Sequence, residues 1–370
     1  MTPTPDPGSR PSRFTESGGE ERPSRIDPNA FDLPVDAIRR GHYTDKYFVR
    51  ARDVLASNRL SPNVTMQVFQ KQHALLAGTD EAIALLKLCL TPEFSWNDLE
   101  VFSLHDGDEV EPHETVMWIT GPYRAFAHLE TLYLGVLGRR TMVATLTQET
   151  VAAAAPKPVL FFPARHDLWS AQAGDGWAAR VGGVTSVSTD AQGALWGAEG
   201  IGTVPHALIA AYAGDTVKAT EALANHLPDD VPVISLVDFD NDSVGTALAV
   251  ARSLGARLHG VRLDTCETLV DRSLLDPEDR GVTPSLVYAV RKALDGEGFQ
   301  HVRIIVSGGF TVEKIRAFEQ ASVPVDSYGV GSSLLRGSYN FTADVVLLEG
   351  QPAAKVGRSA RPNPRLQRVD

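Results

Sequence analysis

The chain has 370 residues, 43% of them apolar and 22% charged, enough for two domains with a sizeable core and typical of a globular enzyme. A formal net charge of −11 with no basic stripe argues against a nucleic-acid partner, whose binding needs cations that displace counterions. Only two cysteines occur, Cys89 and Cys266, without CxxC spacing, and no apolar run reaches membrane-spanning length; a disulfide scaffold, a zinc knuckle and a membrane partner are excluded, and a reducing cytoplasmic location is expected.

Residues 1–30 are rich in Pro, Ser, Gly and charge and are predicted to be a disordered tail. Residues 31–145 read as a mixed α/β domain. Val64–Phe69 alternates like a strand, Thr79-Asp80-Glu81 opens a helix through Lys87, Thr115–Ile119 is a second strand, and a helix follows over about Tyr123–Leu137. From 146 to 336 the pattern becomes strand–helix alternation, with strands predicted at 158–162, 183–187, 200–203, 232–237, 258–263, 302–306 and 325–330. Repeated β-α-β units require parallel strands, and their number favours an irregular β/α barrel over an open doubly wound sheet. Residues 337–370 contain the apolar run Asp344–Leu348 and a Pro/Arg-rich end, expected to return to the first domain.

Catalytic groups of a β/α barrel sit where strands end, so those positions carry the functional reading. The last two strands run into glycines: Ser307-Gly308-Gly309 and, about twenty residues later, Gly329-Val330-Gly331-Ser332. Glycine lets the backbone approach an anion closely, and the helix that follows presents unpaired N–H groups and the positive end of its dipole. The tandem predicts a phosphate cup and hence a phosphorylated substrate. Phe162 and Arg165 follow the first strand, an aromatic face beside a guanidinium, suited to a flat anionic ring. His206 stands just before an apolar helix, where it can serve as acid, base or nucleophile. Asp238 and Asp240 follow another strand and are either a solvated acidic loop or ligands for Mg²⁺ or ribose hydroxyls. Arg262 and Asp264 lie two apart on one side of an extended segment, either a plain ion pair or a bipolar binding face.

In this order the motifs resemble the nicotinate phosphoribosyltransferases, type II phosphoribosyltransferases, over about residues 32–368. The resemblance is carried by Tyr43–Phe48, Gly121-Pro122-Tyr123 with Leu129-Glu130-Thr131, Ser188-Thr189-Asp190, Gly202–Leu208, Arg262–Thr265, Ser307-Gly308-Gly309, Gly329–Ser332, and the ending Lys355–Arg358 with Arg361–Leu366. It implies a small α/β domain plus an irregular barrel, and a homodimer or higher homo-oligomer with shared sites. It implies transfer of phosphoribose from phosphoribosyl pyrophosphate to nicotinate with Mg²⁺ and coupled ATP hydrolysis, within NAD biosynthesis. Residue by residue, Phe162 would stack on the pyridine with Tyr47 opposite; Arg165 and Arg262 would meet the carboxylate and the pyrophosphate. Asp264 and Asp238 or Asp240 would bind ribose or metal, with Ser188 and Thr203 as further substrate contacts. Ser307, Gly308, Gly309, Gly329, Gly331 and Ser332 would hold the 5′-phosphate, and His206 matches the histidine that ATP-coupled members phosphorylate. The chain departs from the family's frequent Phe-Gly-x-Arg-Arg at Phe162-Pro163-Ala164-Arg165-His166.

Five competing readings remain, one of them a non-catalytic nucleotide sensor. Quinolinate as substrate needs an extra basic cluster that the sequence does not display, and nicotinamide favours a carboxylate over a second cation. A type I phosphoribosyltransferase needs two adjacent acids, which Phe239 interrupts here. A phosphate-binding barrel lyase or isomerase needs a lysine or glutamate base at a strand end.

Overall fold

The computed structural model describes residues 24–370; the predicted tail over residues 1–23 lies outside the described residues. Residues 24–30, predicted as disordered, are instead ordered. Asp80 accepts from the Arg25 guanidinium at 2.8 Å and from the Ile26 amide at 3.0 Å, and Pro28–Ala30 forms a 3₁₀ turn capped by Asp27. Composition missed this because one buried carboxylate anchors an otherwise polar segment. Substituting Asp80→Ala strands the Arg25 charge and should lower unfolding stability by about 1–3 kcal/mol in urea titration.

Residues 24–145 and 338–370 form one compact unit, and residues 146–337 a second. In chain order the first unit contributes strands β1 (Asn63–Phe69), β2 (Ala74–Leu75), β3 (Glu100–Ser103), β4 (Glu109–Val110) and β5 (Thr115–Pro122). The second contributes β6 (Val159–Phe161), β7 (Ser186–Val187), β8 (Val233–Leu236), β9 (Leu258–Leu263), β10 (Arg303–Val306) and β11 (Ser327–Val330). The chain then re-enters the first unit with β12 (Thr342–Leu348), β13 (Gln351–Pro352) and β14 (Gln367–Arg368).

In the first unit the sheet order is β13-β12-β1-β5-β3-β14, with β1 between antiparallel β12 and β5. Val64, Met66 and Val68 of β1 are buried with Val116, Met117 and Ile119 of β5 and the helix Thr79–Leu88, the apolar interior that orders this unit. The predicted helix over about Tyr123–Leu137 is broken into Tyr123–Phe126 and a 3₁₀ turn. It then resumes as Glu130–Ala154, a 25-residue helix that carries the chain past the expected boundary at 145. Gly138 does not cap it after Leu137. The backbone stays helical there, and the missing side chain instead admits the Tyr339 carbonyl, whose oxygen lies 2.6 Å from where a Cβ would sit.

The second unit is the irregular parallel β/α barrel, in order β7-β6-β11-β10-β9-β8. The strand predicted at 200–203 is not one. Gly200 makes an isolated bridge to Val187, the Ile201 amide donates to Val187, and the Val204 amide donates to Ile234. This extended segment spans the two sheet edges with single contacts rather than a ladder, which is why its apolar pattern is a poor guide. The strand predicted at 183–187 is likewise reduced to Ser186–Val187. Among the described residues no helix is long and apolar enough to cross a membrane.

Candidate active site

The site is assembled on the C-terminal ends of the barrel strands. Phe162 continues β6, and its amide donates to the Val330 carbonyl at 2.8 Å. Its ring lies against the backbone at Gly329, where an added Cβ would come within 2.8 Å of two ring carbons. That close approach is what Gly329 permits. The same Cβ position is 3.4 Å from Ser307. Ser307 in turn donates through Oγ to Asp264 Oδ1 at 2.8 Å, so the ends of β6, β11, β10 and β9 are linked side by side.

Asp264 faces Arg262, with Oδ2 3.8 Å from Nη2. Burial pushes the Arg262 guanidinium below its ordinary value, while Asp264 and Asp238 pull it back up and Arg165 opposes them. Its Nε is buried without a hydrogen-bond partner among the described residues. These influences place Arg262 among Asp264, Asp238 and Arg165.

Asp238 follows β8. One carboxylate oxygen meets His206 Nε2 at 3.1 Å, and the other, Oδ1, is buried with no hydrogen-bond partner among the described residues. Burial raises its pKa first of all; the His206 contact lowers it and the Asp264 charge raises it. Of the two acids after β8, Asp238 alone joins this cluster. Asp240 is exposed and makes no hydrogen bond or ion pair among the described residues, because the chain turns at Asp238–Asn241 with Asn241 in the left-handed region at φ 55°. His206 is held at the start of the helix His206–Ala211, anchored by buried Val204 and Ile209 in a small cluster with Ala219 and Leu236. Asp238 on Nε2 favours the tautomer with a proton there, leaving Nδ1 with a free lone pair.

The two glycine turns adjoin. Gly308 and Gly309 both have positive φ, 86° and 71°, and Ser333 Oγ of the second turn donates to the Phe310 carbonyl of the first at 2.8 Å. Among the described residues the amides of Gly308, Gly309 and Ser332 donate to no acceptor. Gly331 is crossed closely by His166, whose Nε2 would lie 3.1 Å from an added Cβ. Burial holds the His166 pKa below the usual imidazole range, assisted by Arg165 and Arg336. The second turn is therefore flanked by basic side chains.

Two expected substrate contacts, Ser188 and Thr203, make no hydrogen bond to this cluster among the described residues. Ser188 is committed to Gln192 through both its amide and its hydroxyl, and Thr203 Oγ1 reaches only the Val204 carbonyl. Tyr47 belongs to the first unit, where it is 61% exposed and its ring tilts against Phe48 at 4.3 Å. Arg336 and Lys314 were missed from sequence. The signal available was a cation three residues into the helix after Gly308-Gly309-Phe310 and another closing the barrel segment.

Paired carboxylates beside an arginine, an aromatic platform and two adjoining glycine turns with unspent amides suit glycosyl transfer from a phosphorylated sugar, and the barrel bearing them is that of a type II phosphoribosyltransferase. Family models described as the quinolinate phosphoribosyl transferase N-terminal and C-terminal domains match residues 45–141 and 143–336. The solved structure of a nicotinate-nucleotide pyrophosphorylase from Pyrococcus furiosus superposes with a TM-score of 0.77 at 31% identity, covering 91% of this chain and 85% of that one. A nicotinate phosphoribosyltransferase of Mycobacterium tuberculosis is 30% identical over 259 residues, 68% of this chain and 54% of the relative. One of Bacillus subtilis is 26% identical over 241 residues, 63% and 45%. The chain thus spans about half the length of the curated relatives it matches. The human nicotinic acid phosphoribosyltransferase shares the fold, at TM-score 0.63 and 19% identity over 86% of this chain and 77% of that one. The chain belongs to the type II phosphoribosyltransferase family, that of the quinolinate and nicotinate phosphoribosyltransferases.

Proposed function

We propose that this protein is a nicotinate phosphoribosyltransferase, joining nicotinate to phosphoribosyl pyrophosphate to give nicotinate mononucleotide and pyrophosphate. The observation that carries the reading is the contiguous run Phe162–Gly329–Ser307–Asp264–Arg262, which sets an aromatic face, a carboxylate and a guanidinium beside two turns with unspent amides. Phe162 holds the pyridine ring, Arg165 its carboxylate, and the turns at Gly308–Gly309 and Gly331–Ser332 the 5′-phosphate. Asp264 and Asp238 face the ribose, where they stabilise the positive charge that develops at the anomeric carbon, and Arg262 takes the departing pyrophosphate.

Mg²⁺ belongs to the same proposal. Among the described residues no group of three His, Cys, Asp or Glu forms a metal cage. The unpartnered Asp238 Oδ1 and the neighbouring Asp264 do fit an ion that uses one or two carboxylates and takes its other ligands from substrate phosphates and water. Bound there, Mg²⁺ would neutralise charge on the leaving pyrophosphate. Coupling to ATP rests on His206: Asp238 holds Nε2 so that neutral Nδ1 can accept a phosphoryl group. A homodimer in which Tyr47 of a second copy covers the pyridine completes the proposal.

The second reading is quinolinate, favoured by the descriptions of the matching family models and by the basic residues Arg165, His166 and Arg336 near the second turn. Purified protein with phosphoribosyl pyrophosphate and Mg²⁺ is offered nicotinate, quinolinate or nicotinamide, with and without ATP, and products are read by mass spectrometry. Nicotinate mononucleotide from nicotinate is expected. The same nucleotide from quinolinate alone, with release of CO₂, would establish the second reading instead.

A further inference from the structure

Lys314 stands in the first turn of the nine-residue helix Val312–Gln320, which begins directly after the first glycine turn. Side chains on a helix lean toward its N-terminus. Accordingly the Lys314 stem folds back over buried Phe310, with Nζ 4.4 Å from the ring centroid, and the ammonium reaches the Gly308 carbonyl at 3.5 Å. The ammonium keeps donors to spare there. It has three donors, one long contact to a carbonyl, and no ion pair among the described residues. Burial depresses its pKa, and the Glu267 charge offsets this only from a distance. A solvated surface lysine would extend into water; this one is held with its charge against a turn whose own amides are unspent. Beside it, an added Cβ at Gly309 would meet nothing within 4 Å, so the turn has room for a ligand.

We propose that Lys314 is a ligand-binding residue that supplies the counter-charge to the substrate's 5′-phosphate at the Gly308–Gly309 turn. The inference rests on the phosphoribosyl reading given above and extends it to a side chain that the sequence patterns did not mark. The phosphate oxygens accept from the amides of Gly308 and Gly309 on one side and from the Lys314 ammonium on the other, while the aromatic stack fixes where the ammonium sits.

Calorimetric titration with ribose 5-phosphate tests this without relying on turnover. The dissociation constant should rise about tenfold in Lys314→Gln and stay within about threefold of wild type in Lys314→Arg, which keeps the charge. Equal affinity in wild type and a folded Lys314→Gln overturns the role of Lys314 and leaves the phosphate turns standing. A wild-type protein with no affinity for ribose 5-phosphate overturns the turns and Lys314 together. Should Lys314→Gln unfold, acetylation of the intact wild-type protein decides the matter. Ribose 5-phosphate should protect Lys314 in peptide mass spectra, and undiminished labelling overturns the proposal.

Discussion

Replacing Arg262 by alanine is expected to lower kcat/KM by about a hundred- to a thousandfold, the usual consequence of removing a pre-positioned group that meets transition-state charge. The side chain leaves β9 among Asp264, Asp238 and Arg165; burial disfavours its charge and the two nearby carboxylates favour it. Removing it deletes the group proposed to take the pyrophosphate and leaves Asp264 and Asp238 repelling one another across the proposed sugar site. The fold should survive, because Asp264 retains Ser307 and the barrel strands are joined by main-chain bonds. The conservative change Arg262→Lys should restore only part of the rate, since an ammonium lacks the planar fork that grips a pyrophosphate. Steady-state kinetics with a thermal melt checks both halves; wild-type kinetics would remove Arg262 from the site.

The second large effect has opposite signs in activity and stability. Asp238→Asn should cut turnover by about two orders of magnitude while raising the melting temperature. The Asp238 side chain is only 8% exposed, one of its oxygens is unpartnered, and its carboxyl pKa is raised. A carboxyl that binds its proton more tightly folded than unfolded contributes stability that is fully present below the unfolded pKa. That contribution is lost as pH rises through the folded pKa, so at neutral pH the ionised group opposes folding. Asparagine removes the penalty, retains a group able to bond His206 Nε2, and removes the charge proposed to face the sugar. Melts of both proteins from about pH 4 to about pH 8 should therefore diverge as pH increases, with the variant the more stable above the folded pKa. Equal melts across that range would show that the Asp238 charge carries no cost; undiminished turnover would take it out of the reaction. Stability given up to hold a charge at a site is the expected trade.

How far the site was legible in the sequence follows from these residues. A period of two in apolar strands and a longer period in the segments between them are local properties, so the β/α alternation, β9 at its predicted 258–263, and the glycine pairs after β10 and β11 could be read directly. Knowing where strands end is enough to nominate Phe162 and Asp264, with Arg262 two residues before Asp264 on the same side, because parallel strands in a barrel deliver all their ends to one side; His206 is nominated by its place at the start of a helix, although the strand predicted before it does not form. The rest depended on contacts between residues distant in the chain. Asp238 and Asp240 are equivalent by spacing; only the turn at Asn241, with its left-handed backbone, sends one toward His206 and the other outward. The segment 200–204 has a strand's composition but bridges two sheet edges, and residues 24–30 have a tail's composition but are captured by Asp80. Ser188 has a ligand's chemistry and is used by Gln192. The sequence alone determined the β/α alternation and most of the groups from which a site could be made, since both follow from short-range periodicity and backbone freedom. Tertiary structure decided which of those groups meet and which charges are stripped of water, since desolvation and hydrogen-bond partnership exist only once remote segments pack.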